Sequence, residues 1–90
     1  MHVNIHLMES LVTASALEEF MRLPRPIQAR VIKLGERLEN WPNVSGAKPL
    51  SGALAGRFLL RTGDYRVQFR VDRGMVIVER VGHRDGFYDE

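Results

Sequence analysis

The sequence predicts one α+β domain over residues 1–90, in which a hairpin of two helices packs on one face of a mainly antiparallel, four-stranded sheet. Three observations predict this fold class. Apolar residues alternate near the N-terminus, two stretches follow with helical spacing, and three strand-like segments end the chain. The expected element order is therefore β-α-α-β-β-β. The 90 residues, 44% of them apolar, suffice for one compact core.

The first strand is predicted over roughly residues 2–8, where apolar and polar residues alternate. His2 and His6 share the polar side of this strand. With no third ligand nearby, they are expected to be surface residues rather than a metal site. We expect no metal and no cofactor.

The first helix is predicted to begin at a cap provided by Thr13 or Ser15, since Ser15 and Glu18 have capping-box spacing. Its apolar edge consists of Leu17, Phe20 and Met21. Pro24 ends this helix, because a proline disfavours helical geometry in the preceding residue.

The second helix is predicted to start around Pro26, which suits a first turn. Its apolar stripe consists of Ile27, Val31, Leu34 and Leu38, and it ends near Trp41. The basic residues of this helix lie mostly off the stripe, so we expect them to form a solvated outer face.

Residues 43–56 are rich in Gly, Ser, Ala and Pro and predict a loop in which Lys48 is the one cation. Strands are predicted over about 57–62, 65–71 and 75–81, joined by turns at 63–64 and 72–74. The last strand is largely β-branched, so it is expected to be central. The sheet face away from the helices is expected to display Arg66, Gln68 and Arg70.

Basic residues concentrate in the C-terminal half. The chain has a formal charge of +2, but residues 48–84 contain eight Lys and Arg against three Asp and Glu, a local excess of +5. Such a patch favours a polyanion as partner. With no cysteine and no apolar run of about 18 residues, we expect a cytoplasmic protein and no membrane partner.

One group of side chains could carry chemistry. His83 can exchange protons near neutral pH, Arg66 and Arg84 can each hold a phosphate, and the Tyr88 hydroxyl can donate to an oxyanion. A cationic pocket with an acid–base pair suits RNA cleavage by the ribose 2′-hydroxyl. From these residues alone, nuclease, binding and purely structural roles all stay open.

Four short motifs resemble the RelE/ParE superfamily of toxins from toxin–antitoxin systems. They are L-P-x-x-x-Q-x-R-V from Leu23, K-P-L-x-G from Lys48, L-R-T-G-D-Y-R-V from Leu60 and V-G-H-R-D-x-x-Y from Val81. Together they span nearly the whole chain. The resemblance implies the RelE/ParE toxin fold, and it favours the RelE-like branch, whose members cut messenger RNA on the ribosome without metal and leave a 2′,3′-cyclic phosphate.

By position, the resemblance assigns roles to individual residues. Arg66 and Arg84 match the two phosphate-binding arginines, Tyr88 matches the C-terminal tyrosine, and His83 matches an acid–base position of several branches. The expected substrate-binding residues are Lys48, Arg57, Gln68 and Arg70. Arg57 falls where a catalytic lysine often occurs, and Leu59 falls where a second lysine is usual, which departs from the pattern.

The resemblance also implies the partners: a cognate antitoxin protein, together with mRNA and the ribosome. Two alternatives are a ParE-like chain that poisons DNA gyrase without cutting RNA, and an inactive relative that still binds an antitoxin.

Overall fold

The computed structural model describes residues 2–7 and 10–87, with side chains from residue 11 onward. The helices are α1, Ala14–Met21, and α2, Arg25–Leu38. The strands are β1, His2–Leu7; β2, Ser10–Thr13; β3, Lys48–Pro49; β4, Arg57–Thr62; β5, Tyr65–Asp72; and β6, Met75–His83. Short 3₁₀ turns at Gly52–Leu54 and Arg84–Gly86 follow β3 and β6.

The strands form one sheet in the order β1-β2-β6-β5-β4-β3. Neighbours are antiparallel except β2 and β6, so the sheet is mixed but mainly antiparallel. The predicted fold class and the central position of the last strand are confirmed. The predicted count of four strands is wrong, because β2 and β3 are two further strands. They have four and two residues, too few to show a clear alternation in sequence.

The helix hairpin begins at Thr13, one of the two predicted caps, but α2 ends at Leu38, three residues before the predicted end near Trp41. Thr13 caps α1 by accepting a hydrogen bond from the Ala16 amide at 3.1 Å. At the joint between the helices, the Gln28 side chain donates to the carbonyls of Phe20 and Leu23 at 3.2 and 3.1 Å. Phe20 lies in the last turn of α1 and Leu23 in the joint, so Gln28, a residue of α2, connects both to the second helix.

The main core lies between the helices and one face of the sheet. Its most buried members are Val12, Ala16, Val31, Leu34, Leu38, Leu60, Val67, Phe69, Val76, Val78 and Val81. Trp41, Phe58 and Phe69 add a cluster of aromatic rings with centroids 4.7–5.4 Å apart. The hairpin therefore covers one face of the sheet, as predicted.

The opposite face of the sheet, called the second face below, carries a smaller apolar cluster. Leu50, Leu59 and Phe87 are buried there, with Leu54 packed against them. Residues 84–87 fold back over this face from the end of β6, and the loop before β4 covers it from the other side. Successive side chains of β4 and β5 alternate between the main core and the second face.

A β-bulge in β6 rearranges the second face. Gln68 pairs with Arg80 and Phe69 pairs with Val78, so Glu79 is an extra residue in the ladder. The bulge lets Val78 and Val81 both face the main core although three positions separate them. It also places both Glu79 and Arg80 on the second face.

The second face is less open than the sequence predicts. Arg66 and Gln68 belong to it, but each is only 4% exposed. The expectation that both are displayed to solvent is therefore wrong. The reason is the small apolar cluster of Leu50, Leu59 and Phe87, which covers this part of the sheet.

Within the described part of the chain, no helix is long and apolar enough to cross a membrane.

Candidate active site

The candidate site lies at the end of the second face where β4 turns into β5. The turn consists of Gly63 and Asp64, and Gly63 has a φ of 59°, a conformation that glycine adopts without strain. β6 ends beside this turn, because His83 pairs with Tyr65. The 3₁₀ turn that carries Arg84 follows directly.

Arg66 and Arg84 both approach this turn. Arg66 Nη1 donates to the carbonyls of Gly63 and Tyr65 at 2.9 and 3.1 Å. The Arg84 amide donates to the Asp64 carbonyl at 2.7 Å, and Arg84 Nη1 lies 3.9 Å from Asp64 Oδ1. The two guanidinium groups thus come from different elements to adjacent residues of one turn.

The two arginines differ in exposure. Arg66 is 4% exposed, whereas the Arg84 side chain is 56% exposed. The carboxylate contacts of Arg84, with Asp64 and Asp85, are long at 3.9 and 4.0 Å. Exposed pairs of this kind contribute only about 0–1 kcal/mol, so Arg84 can exchange them for a phosphate at little cost.

His83 ends β6 and directly precedes Arg84 in the chain, but it pairs with Tyr65, whose side chain lies on the face opposite to that of Arg66. Its ring packs edge-on against Tyr65, with centroids 5.3 Å apart. Nδ1 accepts a hydrogen bond from the Asp85 amide at 3.2 Å and lies 3.3 Å from Asp85 Oδ2. The neutral ring therefore carries its proton on Nε2, and a protonated ring can donate from Nδ1 to the Asp85 carboxylate. The side chain is 45% exposed.

Tyr88, the remaining predicted catalytic residue, lies outside the described residues. Its neighbour Phe87 is described and is 8% exposed in the second-face cluster.

The predicted substrate-binding residues Arg57, Gln68 and Arg70 surround one carboxylate. Arg57 Nε and Arg70 Nε contact the two oxygens of Glu79 at 2.9 and 3.0 Å, and Gln68 Nε2 lies 3.5 Å from Oε1. The Glu79 side chain is 18% exposed. These charge-assisted bonds are short and partly shielded from water, so they are stronger than those of Arg84.

Lys48 lies on the short strand β3, where it pairs with Leu59. Leu59 in turn pairs with Gln68. Lys48, Leu59 and Gln68 therefore lie side by side on three neighbouring strands, and Gln68 is the one near Glu79. The structure therefore arranges the predicted residues in two groups: Arg66, His83 and Arg84 at the β4–β5 turn, and Arg57, Gln68 and Arg70 around Glu79.

Sequence reasoning misses two residues that organise this face. From the sequence, Glu79 is only one negative charge within a basic stretch, and Arg80 is an ordinary strand residue. A signal does exist: Val76, Val78 and Val81 do not fit a single period-two pattern, which indicates a bulge between the last two.

Comparison with known proteins gives the family. No family model matches the chain. The toxin RelG of Mycobacterium tuberculosis is 33% identical over 78 residues, which cover 84% of this chain and 90% of the relative. The toxin RelE of the same organism is 40% identical over 70 residues, covering 76% of this chain and 70% of that protein. The chain belongs to the RelE family of toxins.

Solved structures agree with this assignment. The RelBE2 toxin–antitoxin complex of M. tuberculosis contains a chain 36% identical to this RelE-family toxin, with a TM-score of 0.72 over 81% of this chain and 86% of that one. The RelB–RelE complex of Methanococcus jannaschii has a TM-score of 0.71 at 21% identity, over 86% and 93% of the two chains, and shows the same fold. The predicted resemblance, with its preference for the RelE-like branch, is confirmed.

Proposed function

We propose that this RelE-family toxin is an endoribonuclease that cleaves messenger RNA and so inhibits translation, and that a cognate antitoxin neutralises it. The supporting observation is the approach of two guanidinium groups, Arg66 from β5 and Arg84 from the turn after β6, to the same Gly63–Asp64 turn. A phosphodiester at this end of the sheet could receive both positive charges.

In the proposed reaction, the ribose 2′-oxygen attacks the adjacent phosphorus and the bond from phosphorus to the 5′-oxygen breaks. The 2′-hydroxyl loses a proton and the departing 5′-oxygen gains one, which leaves a 2′,3′-cyclic phosphate and a 5′-hydroxyl end. Negative charge gathers on the phosphoryl oxygens in the transition state, and fixed positive groups stabilise it there.

Each residue has a proposed role. Arg84, the more exposed arginine, binds the phosphoryl oxygens, and the buried Arg66 adds positive charge from a fixed position. His83 transfers a proton, and Tyr88 is expected to stack on the substrate or to share the proton transfer.

We further propose that Lys48, Arg57, Gln68 and Arg70 bind the RNA backbone beyond the cleavage point. Because Arg57 and Arg70 both contact Glu79, a phosphate has to compete with that carboxylate. This part of the interface is therefore expected to bind RNA more weakly than the residues at the turn.

The proposed antitoxin partner follows from the two solved complexes, in which toxins of this fold are bound by their antitoxins. A segment with acidic and leucine side chains suits a toxin with a basic C-terminal half.

Inducible expression in bacteria, followed by primer extension on cellular mRNA, tests the proposal. We expect growth arrest, cuts in mRNA reading frames, and rescue by co-expression of the adjacent antitoxin gene. Adding the purified toxin to mRNA with and without ribosomes then tests the ribosome requirement. Intact mRNA together with gyrase-linked DNA breaks would overturn the ribonuclease proposal in favour of the ParE-like alternative. Unaffected growth at good soluble expression would count against both.

A further inference from the structure

Arg80 is the residue through which β6 contacts the segment 84–87. Its Nη2 donates to the Gly86 carbonyl at 3.0 Å. Its guanidinium carbon lies 4.1 Å from the centre of the Phe87 ring, so the cation stacks on the aromatic face. One side chain thus holds two successive residues of the segment.

Glu19 supports Arg80 from the other side, in helix α1. Its Oε2 lies 4.0 Å from Arg80 Nε, and its Oε1 accepts a hydrogen bond from the Val81 amide at 2.8 Å. Because β2 pairs with β6 only at Ile77 and Val78, the Val81 amide lies beyond the paired part of β2. The Glu19 carboxylate therefore bonds the β6 backbone at Val81, beyond the part paired with β2, and also lies beside the Arg80 guanidinium.

Phe87 is the residue that this arrangement holds in place. Its ring packs on Gly82, where an added Cβ would lie 3.6 Å from a ring carbon, and beside Leu50 and Leu59. The Phe87 amide donates to the Arg84 carbonyl at 2.9 Å. The position of Phe87 and the position of Arg84 are therefore linked within one 3₁₀ turn.

We propose that Arg80 is a positioning residue, which ties the segment 84–87 to β6 and α1 and thereby holds Arg84 at the β4–β5 turn. The effect of Arg80 on catalysis rests on the proposed ribonuclease function, whereas its effect on the position of the segment 84–87 does not. Arg80 acts through Phe87 and Gly86, since its guanidinium stacks on the ring and donates to the carbonyl. It is therefore not expected to contact the phosphate.

Amide hydrogen exchange of the purified toxin tests the structural half. In Arg80→Met, which keeps the aliphatic stem, we expect exchange at the Phe87 and Arg84 amides to accelerate about tenfold, because a hydrogen bond and a cation–π contact are lost together. Exchange in the main core should not change. Arg22→Met, an exposed arginine at the end of α1, makes the same change of charge and serves as the control.

A double-mutant cycle with Phe87→Leu separates positioning from a general loss of stability. Leucine keeps the apolar contact with Leu50 and Leu59 but removes the aromatic face. If Arg80 acts partly through the ring, Arg80→Met should accelerate exchange less in the Phe87→Leu background than in the wild-type protein, because only the hydrogen bond to Gly86 is then left to lose. Fully additive effects, or unchanged exchange in Arg80→Met, would overturn the inference whether or not the protein cuts RNA.

Cleavage kinetics test the catalytic half. We expect Arg80→Met to lower kcat about tenfold with little change in KM, because a misplaced Arg84 loses stabilisation of the transition state rather than of the bound substrate. Arg80→Lys should recover part of the rate, since an ammonium group can still stack on Phe87. A rise in KM with unchanged kcat would mean that Arg80 binds substrate directly and would overturn its assignment as a positioning residue. If the wild-type protein has no ribonuclease activity, the proposed function fails while the exchange experiment still decides the positioning role.

Discussion

Two groups of basic residues, one at the β4–β5 turn and one around Glu79, differ in how closely they contact carboxylates and in how exposed those carboxylates are. At the β4–β5 turn, the carboxylates that Arg84 contacts within the described residues lie 3.9–4.0 Å away and are 66% and 83% exposed. At the other group, Arg57 and Arg70 contact the 18%-exposed Glu79 at 2.9–3.0 Å. The residue type is the same in both groups.

The difference shows that a count of arginines does not locate a phosphate site. A guanidinium with long, exposed contacts can change partner cheaply, whereas one bound to a partly buried carboxylate has to leave that carboxylate without its charge partner. By this argument we expect Arg84 to be more available to a phosphate than Arg57 and Arg70, which contact the partly buried Glu79.

The largest predicted effect is on the RNA cleavage rate and comes from removing Arg84 at the β4–β5 turn. Arg84→Ala should lower the RNA cleavage rate by about 10²–10³-fold, because a charge that stabilises the transition state is removed. Single-turnover cleavage of a defined mRNA measures this. The fold should survive, since the side chain is more than half exposed, and circular dichroism with thermal melting checks that it does. A rate within a few-fold of wild type would remove Arg84 from the site.

The next effect concerns the proton transfer proposed for His83. His83→Gln should slow cleavage by up to about 10²-fold, because an amide cannot transfer the proton that an imidazole can. Single-turnover rates of both proteins on the same mRNA supply the measurement. Equal rates would show that His83 does not move the proton.

The third prediction concerns the group around Glu79. Disrupting this group should lower the stability of the fold. Glu79→Gln should lower the free energy of unfolding by about 1–3 kcal/mol, because one carboxylate oxygen becomes an NH2 group that cannot accept from the guanidinium facing it and the negative charge is lost. Urea denaturation measures the loss. Asp72→Asn is the matched control: Asp72 lies 3.8 Å from Arg70 and is 56% exposed, so its loss should cost less than about 0.5 kcal/mol. Equal costs for the two variants would show that Glu79 is not the centre of the cluster.

The smallest predicted effect is on RNA affinity, and it tests whether Glu79 competes with phosphate for Arg57 and Arg70. In a cleavage-deficient Arg84→Ala background, Glu79→Gln should increase RNA affinity a few-fold, because Arg57 and Arg70 lose the carboxylate that competes with phosphate. Each new phosphate contact should steepen the dependence of log affinity on log salt by about 0.7 for a single strand. Arg57→Ala in the same background should weaken binding only a few-fold. Salt titrations by fluorescence anisotropy measure both. If Glu79→Gln weakens binding, the carboxylate orients the arginines for RNA rather than competing with it.

Much of the fold could be predicted because its signals are local. The strands β4 and β5 begin at the predicted residues and end within one residue of the predicted ends, since turns at Gly63 and Gly74 interrupt clear alternation. Thr13 and Pro24 define the helix limits through capping and backbone sterics. β2 and β3 could not be predicted, because strands of four and two residues depend on neighbours that are distant in sequence.

By itself, the sequence determined the helix hairpin, the period-two faces of β4 and β5, and the basic character of the C-terminal half, because spacing and charge depend only on residue order. The tertiary structure alone decided which charges neutralise each other. The bulge at Glu79 brings that carboxylate to Arg57 and Arg70, and Phe87 covers the neighbouring part of the face. Both depend on contacts between β4, β5, β6 and the segment 84–87, and a linear pattern does not record how strands pair or where a segment folds back.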